Sequence, residues 1–208
     1  MTGRVVFSAL VSAAAMFVWG FLFWGLSGIN TVALRPLPGE DAVLATLGQN
    51  LQETAVYHFP GMPGMAPTEA QRGKPAGLVI FRKEGVETNM VAFFAGGYLH
   101  FFVSALLMAG LLAVASPSLK TYGARLGFVF LGGLLIAVAG DFGLYAWWRF
   151  PLSFAAVSAL GTATTWLVAA VVMAGAFNAT WWRTGTATEG PKGGAFVSQP
   201  PPRLRHRE

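Results

Sequence analysis

Four stretches of the chain are apolar over a length that crosses a lipid bilayer, and polar positions cluster between them. They cover residues 5–28, 91–115, 126–148 and 152–177. About 20 residues of α-helix span roughly 30 Å of hydrocarbon. Little more than Arg149, Phe150 and Pro151 separates the last two stretches, which predicts a tight helical hairpin. The pattern predicts an all-α membrane fold, a bundle of four transmembrane helices.

The first span, within residues 1–28, stays apolar well beyond the core of about 7–15 residues that is usual in a signal peptide. We therefore interpret it as an uncleaved signal anchor that is also the first transmembrane helix. Ser8 and Ser12, like Ala9 and Ala13, are four residues apart and so lie on one side of a helix. Small side chains let helices approach closely, so this face is predicted to pack against another span.

Residues 29–90 form the longest connection, and their pattern predicts a small α+β cap docked on one end of the bundle. Two acidic residues favour the start of a short amphipathic helix over residues 40–51. A strand is predicted at 54–59. A second strand, at 77–81, is predicted to form a hairpin with residues 86–90.

Two ionisable residues lie within the apolar stretches, His100 in the second and Asp141 in the third. At about 1.5 Å of rise per residue, they lie at depths of roughly 14 Å and roughly 12 Å from the cap side. Four further residues with polar groups reach the same level in the other spans: Trp19, Thr162, Thr164 and Thr165. The sequence therefore predicts one polar layer across an otherwise apolar bundle.

Ionisable side chains inside a membrane cost about 2.5–3.5 kcal/mol each and usually face a bundle interior or a cavity. One interpretation of the pair is structural: Asp141 accepts hydrogen bonds from His100, a Trp indole or threonine hydroxyls and fixes the helix register. In another, a ring nitrogen of His100 binds a haem or metal while Asp141 orients the ring, and a bis-histidine haem needs a second histidine from another chain. The third is the proton or substrate site of a transporter or channel, and lipid or quinone binding is the remaining one.

Aromatic residues and arginine end two of the spans. The two sets are Trp147, Trp148 and Arg149 after the third span, and Trp181, Trp182 and Arg183 after the fourth. Such residues concentrate where a bilayer meets water, so both sets are predicted to be interfacial lipid anchors. Arg149 has an alternative role, contact with a lipid phosphate or a quinone head group.

Basic residues are distributed unevenly between the two ends of the predicted bundle. Arg4, Lys120 and Arg125 lie at one end with the basic tail 179–208, whereas residues 29–90 carry more acidic than basic residues. The positive-inside rule then predicts cytoplasmic termini and an extracytoplasmic cap. The tail is rich in Gly, Thr and Pro, so it is predicted to be flexible and disordered, with its arginines available to anionic lipid or an acidic partner.

The composition excludes several classes of protein. Hydrophobic residues make up 54% of the 208 residues and charged residues 11%, too apolar for an ordinary soluble domain. The net charge of +5 comes from residues beside the spans or in the tail, so contact with lipid is predicted and nucleic acid is not. The absence of cysteine excludes disulfides and thiolate chemistry. His58 has no second histidine or cysteine near it, so no metal site is predicted there.

No catalytic motif is present, neither a Walker loop, a GxSxG elbow nor an HExxH helix, and the chain is predicted not to be an enzyme. The first hypothesis is a non-catalytic accessory subunit of a larger complex in a bacterial inner membrane, in contact with lipids and other membrane-protein subunits. The second is a small transporter or channel that uses His100 and Asp141. The third is a haem- or quinone-binding redox subunit.

Overall fold

The computed structural model describes residues 2–61, 66 and 68–178. Its helices and strands, in chain order, are α1 (Thr2–Gly20), α2 (Asn30–Ala33), α3 (Glu40–Asn50), β1 (Ala55–Phe59), β2 (Gly77–Phe81), α4 (Met90–Ala115), α5 (Tyr122–Ile136), α6 (Phe142–Trp148) and α7 (Leu152–Asn178). Two π-helical turns, Phe21–Leu26 and Ala137–Asp141, continue α1 and join α5 to α6. The anchor residues Trp181, Trp182 and Arg183 and the tail 179–208 lie outside the described residues.

Within the described residues, four helical segments are long and apolar enough to cross a membrane: Gly3–Leu26, Met90–Ala115, Tyr122–Trp148 and Leu152–Asn178. Their bounds lie within a few residues of the predicted spans, so the prediction of four apolar helices is confirmed. Together they indicate a multi-pass helical membrane protein. Below, the end of the bundle that carries the connection from α1 to α4 is called the cap end, and the opposite end is called the terminal end.

The four spans are packed in the order α4, α1, α7, α5. α1 packs against α4 and α7, and α7 packs against α1 and α5, whereas α4 and α5 touch each other only weakly. The predicted hairpin between the last two spans is present. Arg149 turns the chain there in a left-handed conformation, with φ of 58°, and the amide of Phe150 donates to the carbonyl oxygen of Leu144 at 3.2 Å.

The hydrophobic core fills the terminal half of the bundle, and α1 contributes its small-residue face to it. Ser8, Ala9, Ser12 and Ala13 are all 0% exposed, which confirms the predicted close-packing face. Larger apolar side chains from the neighbouring spans complete the core: Met16, Met108, Leu112, Val129, Trp166, Met173 and Phe177. Small residues on α1 bring the neighbouring helices near enough for these side chains to interdigitate.

The connection between α1 and α4 contains α2, α3 and a two-stranded antiparallel sheet. The predicted helix at 40–51 and strand at 54–59 are present as α3 and β1. α2 packs against α7, and α3 has no buried residue.

The predicted hairpin between 77–81 and 86–90 is wrong, because β2 pairs with β1 and α4 already begins at Met90. Thr54 adds contacts that stabilise this pairing. Its hydroxyl donates to Glu84 and accepts from the amide of Lys83, which ties the start of β1 to the end of β2. β2 thus pairs with β1, which is more distant in the sequence, and not with residues 86–90, which the local turn pattern had indicated.

Candidate binding cavity

A cavity of about 470 Å³ lies between α4 and the α5–α6 span and is backed by α1 and α7. This volume lies in the range of small-molecule sites, about 300–1,000 Å³. Eight of its lining side chains carry polar groups: Trp24, His100, Ser104, Asp141, Ser158, Thr162, Thr165 and Trp166. The cavity exists because α4 and α5 are not close neighbours, so the bundle is open along one side.

The cavity has one polar region and one apolar region along α4. His100 and Ser104 line the part nearer the cap end, and Leu107 and Leu111 line the part nearer the terminal end. From His100 to Leu111 this stripe extends roughly 16 Å along the helix. The residue spacing of three or four keeps all of these side chains on one face of α4.

Met108 forms the wall of the cavity toward the core. Its side chain lies against Gly132 of α5, where an added Cβ would be 2.5 Å from the Met108 Cε. The missing side chain at Gly132 therefore admits the methionine and lets α4 and α5 meet at this level.

The opening of the cavity lies on the outer surface of the bundle. Residues on its rim are strongly exposed: Leu107 at 67%, Leu111 at 58% and Ile136 at 44%. In a membrane these apolar side chains face lipid tails, so the cavity opens sideways into the bilayer.

The π-helical turn Ala137–Asp141 places Asp141 in the cavity. Ile136 and Asp141 both line it although they are five residues apart. In a regular α-helix, with about 100° per residue, residues five apart lie about 140° apart around the axis. The i→i+5 hydrogen bonding of a π-turn brings such residues close to one above the other. Short π-helical segments of this kind are frequent at functional sites.

The predicted polar layer divides into two groups. Thr162 and Thr165 line the cavity together with His100 and Asp141. The indole Nε1 of Trp19 instead donates to the Thr164 hydroxyl at 3.0 Å. Trp19 and Thr164 therefore satisfy each other between α1 and α7, and the remaining four side chains are presented to the cavity.

The hydrogen bonds expected of Asp141 in the structural interpretation are not made. Among the described residues, no hydrogen bond or ion pair joins it to His100, to a Trp indole or to a threonine. The imidazole of His100 is exposed, and its ring centroid lies 5.4 Å from that of Phe101. The two ionisable groups share a cavity without pairing, so each is available to a ligand.

Four lining residues with polar groups were not part of the predicted layer: Trp24, Ser104, Ser158 and Trp166. Two of them had a signal in the sequence. Ser104 follows His100 by four residues and Ser158 precedes Thr162 by four, so each shares a helix face with a predicted member of the layer. No signal in the sequence indicated that Trp24 and Trp166 line a cavity, because an aromatic residue in an apolar span is equally suited to the core or the lipid interface.

The predicted anchor at the end of α6 lies on the surface of the bundle. Trp147 is 84% exposed, Trp148 is 51% exposed and Arg149 is exposed as well. These side chains lie at the cap end of the span, one or two turns beyond Asp141. This position suits interfacial contact with lipid.

At the terminal end, two arginines converge on the last turn of α7. The Nε of Arg4 donates to the carbonyl oxygen of Ala176 at 3.3 Å, and its guanidinium lies 4.5 Å from the ring centroid of Phe177. The Nη1 of Arg125 donates to the Phe177 carbonyl oxygen at 3.1 Å and to the Asn178 Oδ1 at 3.2 Å. Cations suit a helix C-terminus because its last carbonyls lack partners and carry partial negative charge.

Within the described residues, no three or more His, Cys, Asp or Glu side chains are grouped as a metal site would require. The Nδ1–H of His58 donates to the Gly61 carbonyl oxygen at 2.7 Å. No protein-family model, curated protein or solved structure matches the chain.

Proposed function

We propose that this chain binds a membrane-soluble amphipathic molecule in the cavity between α4 and α5, and that His100 and Asp141 hold its polar end. The observation that carries the proposal is the position of two unpaired ionisable side chains in one cavity that opens sideways. Ionisable residues in a span ordinarily face a cavity or pair with one another. Among the described residues, His100 and Asp141 face a cavity and do not pair with each other.

The division of the cavity into two regions supports an amphipathic ligand over a purely polar one. His100, Ser104 and Asp141 supply hydrogen-bonding groups at one level, and Leu107 and Leu111 continue the cavity as an apolar stripe. A ligand whose head group binds in this polar region would place its apolar tail along Leu107 and Leu111. The tail then leaves through the open side into the bilayer.

Two of the alternatives receive less support from the same geometry. Among the described residues, one imidazole lines the cavity, so a bis-histidine haem needs a second axial ligand from elsewhere. For a channel, a polar path has to continue through the terminal half, where the described core is apolar and tightly packed around Leu112 and Met173. A quinone remains consistent with the cavity as one kind of amphipathic ligand.

Native mass spectrometry of gently extracted protein tests the proposal. We expect the wild-type chain to retain one amphipathic molecule. Ser104→Trp fills the cavity from α4 and is expected to abolish retention. Leu131→Trp is the matched control, because Leu131 is 66% exposed on α5 and does not line the cavity. Equal retention by all three proteins would refute the proposal, provided that circular dichroism shows the same helix content in each.

The second candidate function is that of a non-catalytic subunit in a larger membrane complex, and one feature of the cap favours it. Val56 of β1 and Ile80 of β2 are cross-strand partners and are 62% and 72% exposed. A two-stranded sheet alone is marginally stable in water, and exposed apolar pairs of this kind suit a protein contact. A partner subunit that covers this pair would stabilise the sheet.

This candidate predicts that charge on the sheet disrupts assembly. The double variant Val56→Lys, Ile80→Lys is expected to lose co-purifying subunits in native mass spectrometry. Ala45→Lys with Gln49→Lys adds the same charge to exposed positions of α3 and is expected to retain them. A wild-type chain that is recovered alone would contradict the subunit hypothesis directly.

We propose a location in a bacterial inner membrane, and the distribution of charge supports cytoplasmic termini with the cap, residues 29–90, outside. Arg4, Lys120 and Arg125 lie at the terminal end. The chain has no native cysteine, so single-cysteine variants report cleanly on orientation. In intact cells, a membrane-impermeant maleimide is expected to label Val86→Cys, which is 89% exposed in the cap, and to leave Thr121→Cys unlabelled. The reverse pattern would invert the proposed orientation.

A further inference from the structure

Asp141 brings a carboxylate to the cavity without a counter-charge. Within residues 2–61, 66 and 68–178, no arginine, lysine or histidine forms an ion pair with it. Arg149, on the same span, follows eight residues later, about 12 Å along the helix axis. Arg125 lies at the opposite end of that span and donates to the end of α7. A positively charged group bound in the cavity would therefore compensate this carboxylate.

Aromatic side chains surround the same space. Trp24 from the π-helical end of the first span, Phe101 from α4 and Trp166 from α7 all line the cavity. The faces of Trp and Phe rings attract cations through the ring quadrupole, and this attraction strengthens when water is excluded. A cavity that is lined by a carboxylate and by several aromatic rings suits an organic ammonium or a similar cation.

Hydroxyl groups in the polar region are also available. Among the described residues, the side chains of Ser158, Thr162 and Thr165 make no hydrogen bond, whereas Ser104 donates to the His100 carbonyl oxygen at 2.9 Å. Oxygen lone pairs that face a cavity accept hydrogen bonds from a positively charged N–H group. These hydroxyl groups add hydrogen-bond acceptors to the cavity that holds the Asp141 carboxylate, and they add no charge.

From these contacts we infer that the ligand is an amphipathic cation, whose positive group contacts Asp141 and whose apolar part lies along Leu107 and Leu111. This inference rests on the proposed function and narrows it to one class of ligand. The positive group enters from the side, because the apolar rim faces the bilayer. Asp141 is thus the residue that selects the charge of the ligand.

Equilibrium dialysis against protein in nanodiscs tests the sign of the charge, with empty nanodiscs as the blank. The probes are tetraphenylphosphonium, a cation, and tetraphenylborate, an anion of similar size and shape. We expect the wild type to bind the cation in preference, and Asp141→Asn to weaken its binding by about tenfold or more. Asp41→Asn, the same change on α3 in the cap, is expected to bind as the wild type does.

Asp141→Glu keeps the charge and is expected to retain binding, which protects the test against a folding defect in Asp141→Asn. Trp24→Leu removes an aromatic face at similar apolarity and is expected to weaken cation binding as well. Unchanged cation binding in Asp141→Asn, or equal binding of anion and cation by the wild type, would overturn the inference.

A neutral probe separates this inference from the proposed function on which it rests. If the quinone decylubiquinone binds, and Ser104→Trp abolishes that binding while the cation is not preferred, the cavity is a ligand site and the inference of a cation is wrong. If Ser104→Trp affects the binding of no probe, both the inference and the proposed function are wrong.

Discussion

Gly133 of α5 lies against the backbone end of Trp166 of α7, so that a Cβ added at Gly133 would be 2.1 Å from the Trp166 Cβ and 2.5 Å from its Cγ. Both residues are buried. Because the nearest atoms belong to the rigid part of the Trp166 side chain, this contact fixes the distance between α5 and α7. The indole of Trp166 then extends to the cavity, so the same contact also fixes one cavity wall.

Gly133→Ala is therefore expected to destabilise the bundle. Overpacking of a tight contact costs about 1–3 kcal/mol, since side chains or backbone have to move. Gly127→Ala is the control on the same helix, where no atom lies within 4 Å of the added Cβ, and it is expected to be neutral or slightly stabilising. Denaturation of the purified proteins in mixed detergent micelles measures the free energy of unfolding of both variants. Equal stability of the two variants would show that α5 and α7 are not packed as described.

The hydrogen bond between Trp19 and Thr164 predicts energetic coupling between α1 and α7. Trp19→Phe and Thr164→Val each remove one partner. In a double-mutant cycle the two changes are expected to be less than additive, by about 0.6 kcal/mol and at most about 1.7 kcal/mol, as for other hydrogen bonds between membrane helices. Strict additivity of the two free energies of unfolding would exclude this hydrogen bond.

Arg125 is expected to protect the last turn of α7 from opening. Arg125→Met removes the hydrogen bonds to the Phe177 carbonyl oxygen and the Asn178 side chain, and hydrogen bonds of charged groups contribute about 1.5–3 kcal/mol. Amide hydrogen exchange near residues 174–178 is expected to accelerate. Lys120→Met, a similar change at an exposed position of the same turn region, is expected to leave this exchange unchanged. Identical exchange in both variants would contradict the role of Arg125.

The cap is expected to loosen at low pH. The pKa of Glu84 is held below its ordinary value, first by the hydrogen bond from Thr54, then by a backbone hydrogen bond and by the positive charges of Arg82 and Lys83. A carboxyl whose pKa is lower in the folded state stabilises that state fully above its unfolded pKa. This contribution is lost as the pH falls through the folded pKa.

Thr54→Val is expected to raise the pKa of Glu84 toward its ordinary value. The stability of the cap should then depend less on pH. Carboxyl NMR titration of the wild type and the variant measures the shift. Thr46→Val on α3 provides the control, because the Thr46 hydroxyl donates to the Ala42 carbonyl oxygen within its own helix. An unchanged Glu84 titration in Thr54→Val would show that another group lowers its pKa.

The spans and the small-residue face were predictable because each depends on local pattern alone. Twenty apolar residues in succession have few alternatives to a membrane helix, and Ser8 and Ser12 share a face at any helix position. The strand partner of β2 was not predictable in this way. It involves contacts that are distant in sequence, such as those of Thr54, which is 29 residues from Lys83 and 30 from Glu84.

Part of the cavity lining coincides with the predicted polar layer. Residue counting puts His100, Asp141, Thr162 and Thr165 at similar depths, and all four line the cavity. Which helices are neighbours does not follow from counting, so the gap between α4 and α5 had no signal in the sequence. The π-helical turn that ends at Asp141 could not be predicted either, because nothing in the local residue pattern distinguishes it from a regular α-helix.

The neighbour order α4, α1, α7, α5 has a consequence for assembly of the chain. The spans form two pairs, α1 with α4 and α5 with α7, which are joined mainly along the seam between α1 and α7. Trp19 and Thr164 in this seam are 145 residues apart, and Arg4 and Ala176 are 172 apart. During synthesis the two pairs can be held together only once the last span has emerged. A chain that stops before α7 therefore lacks both the seam and the back wall of the cavity.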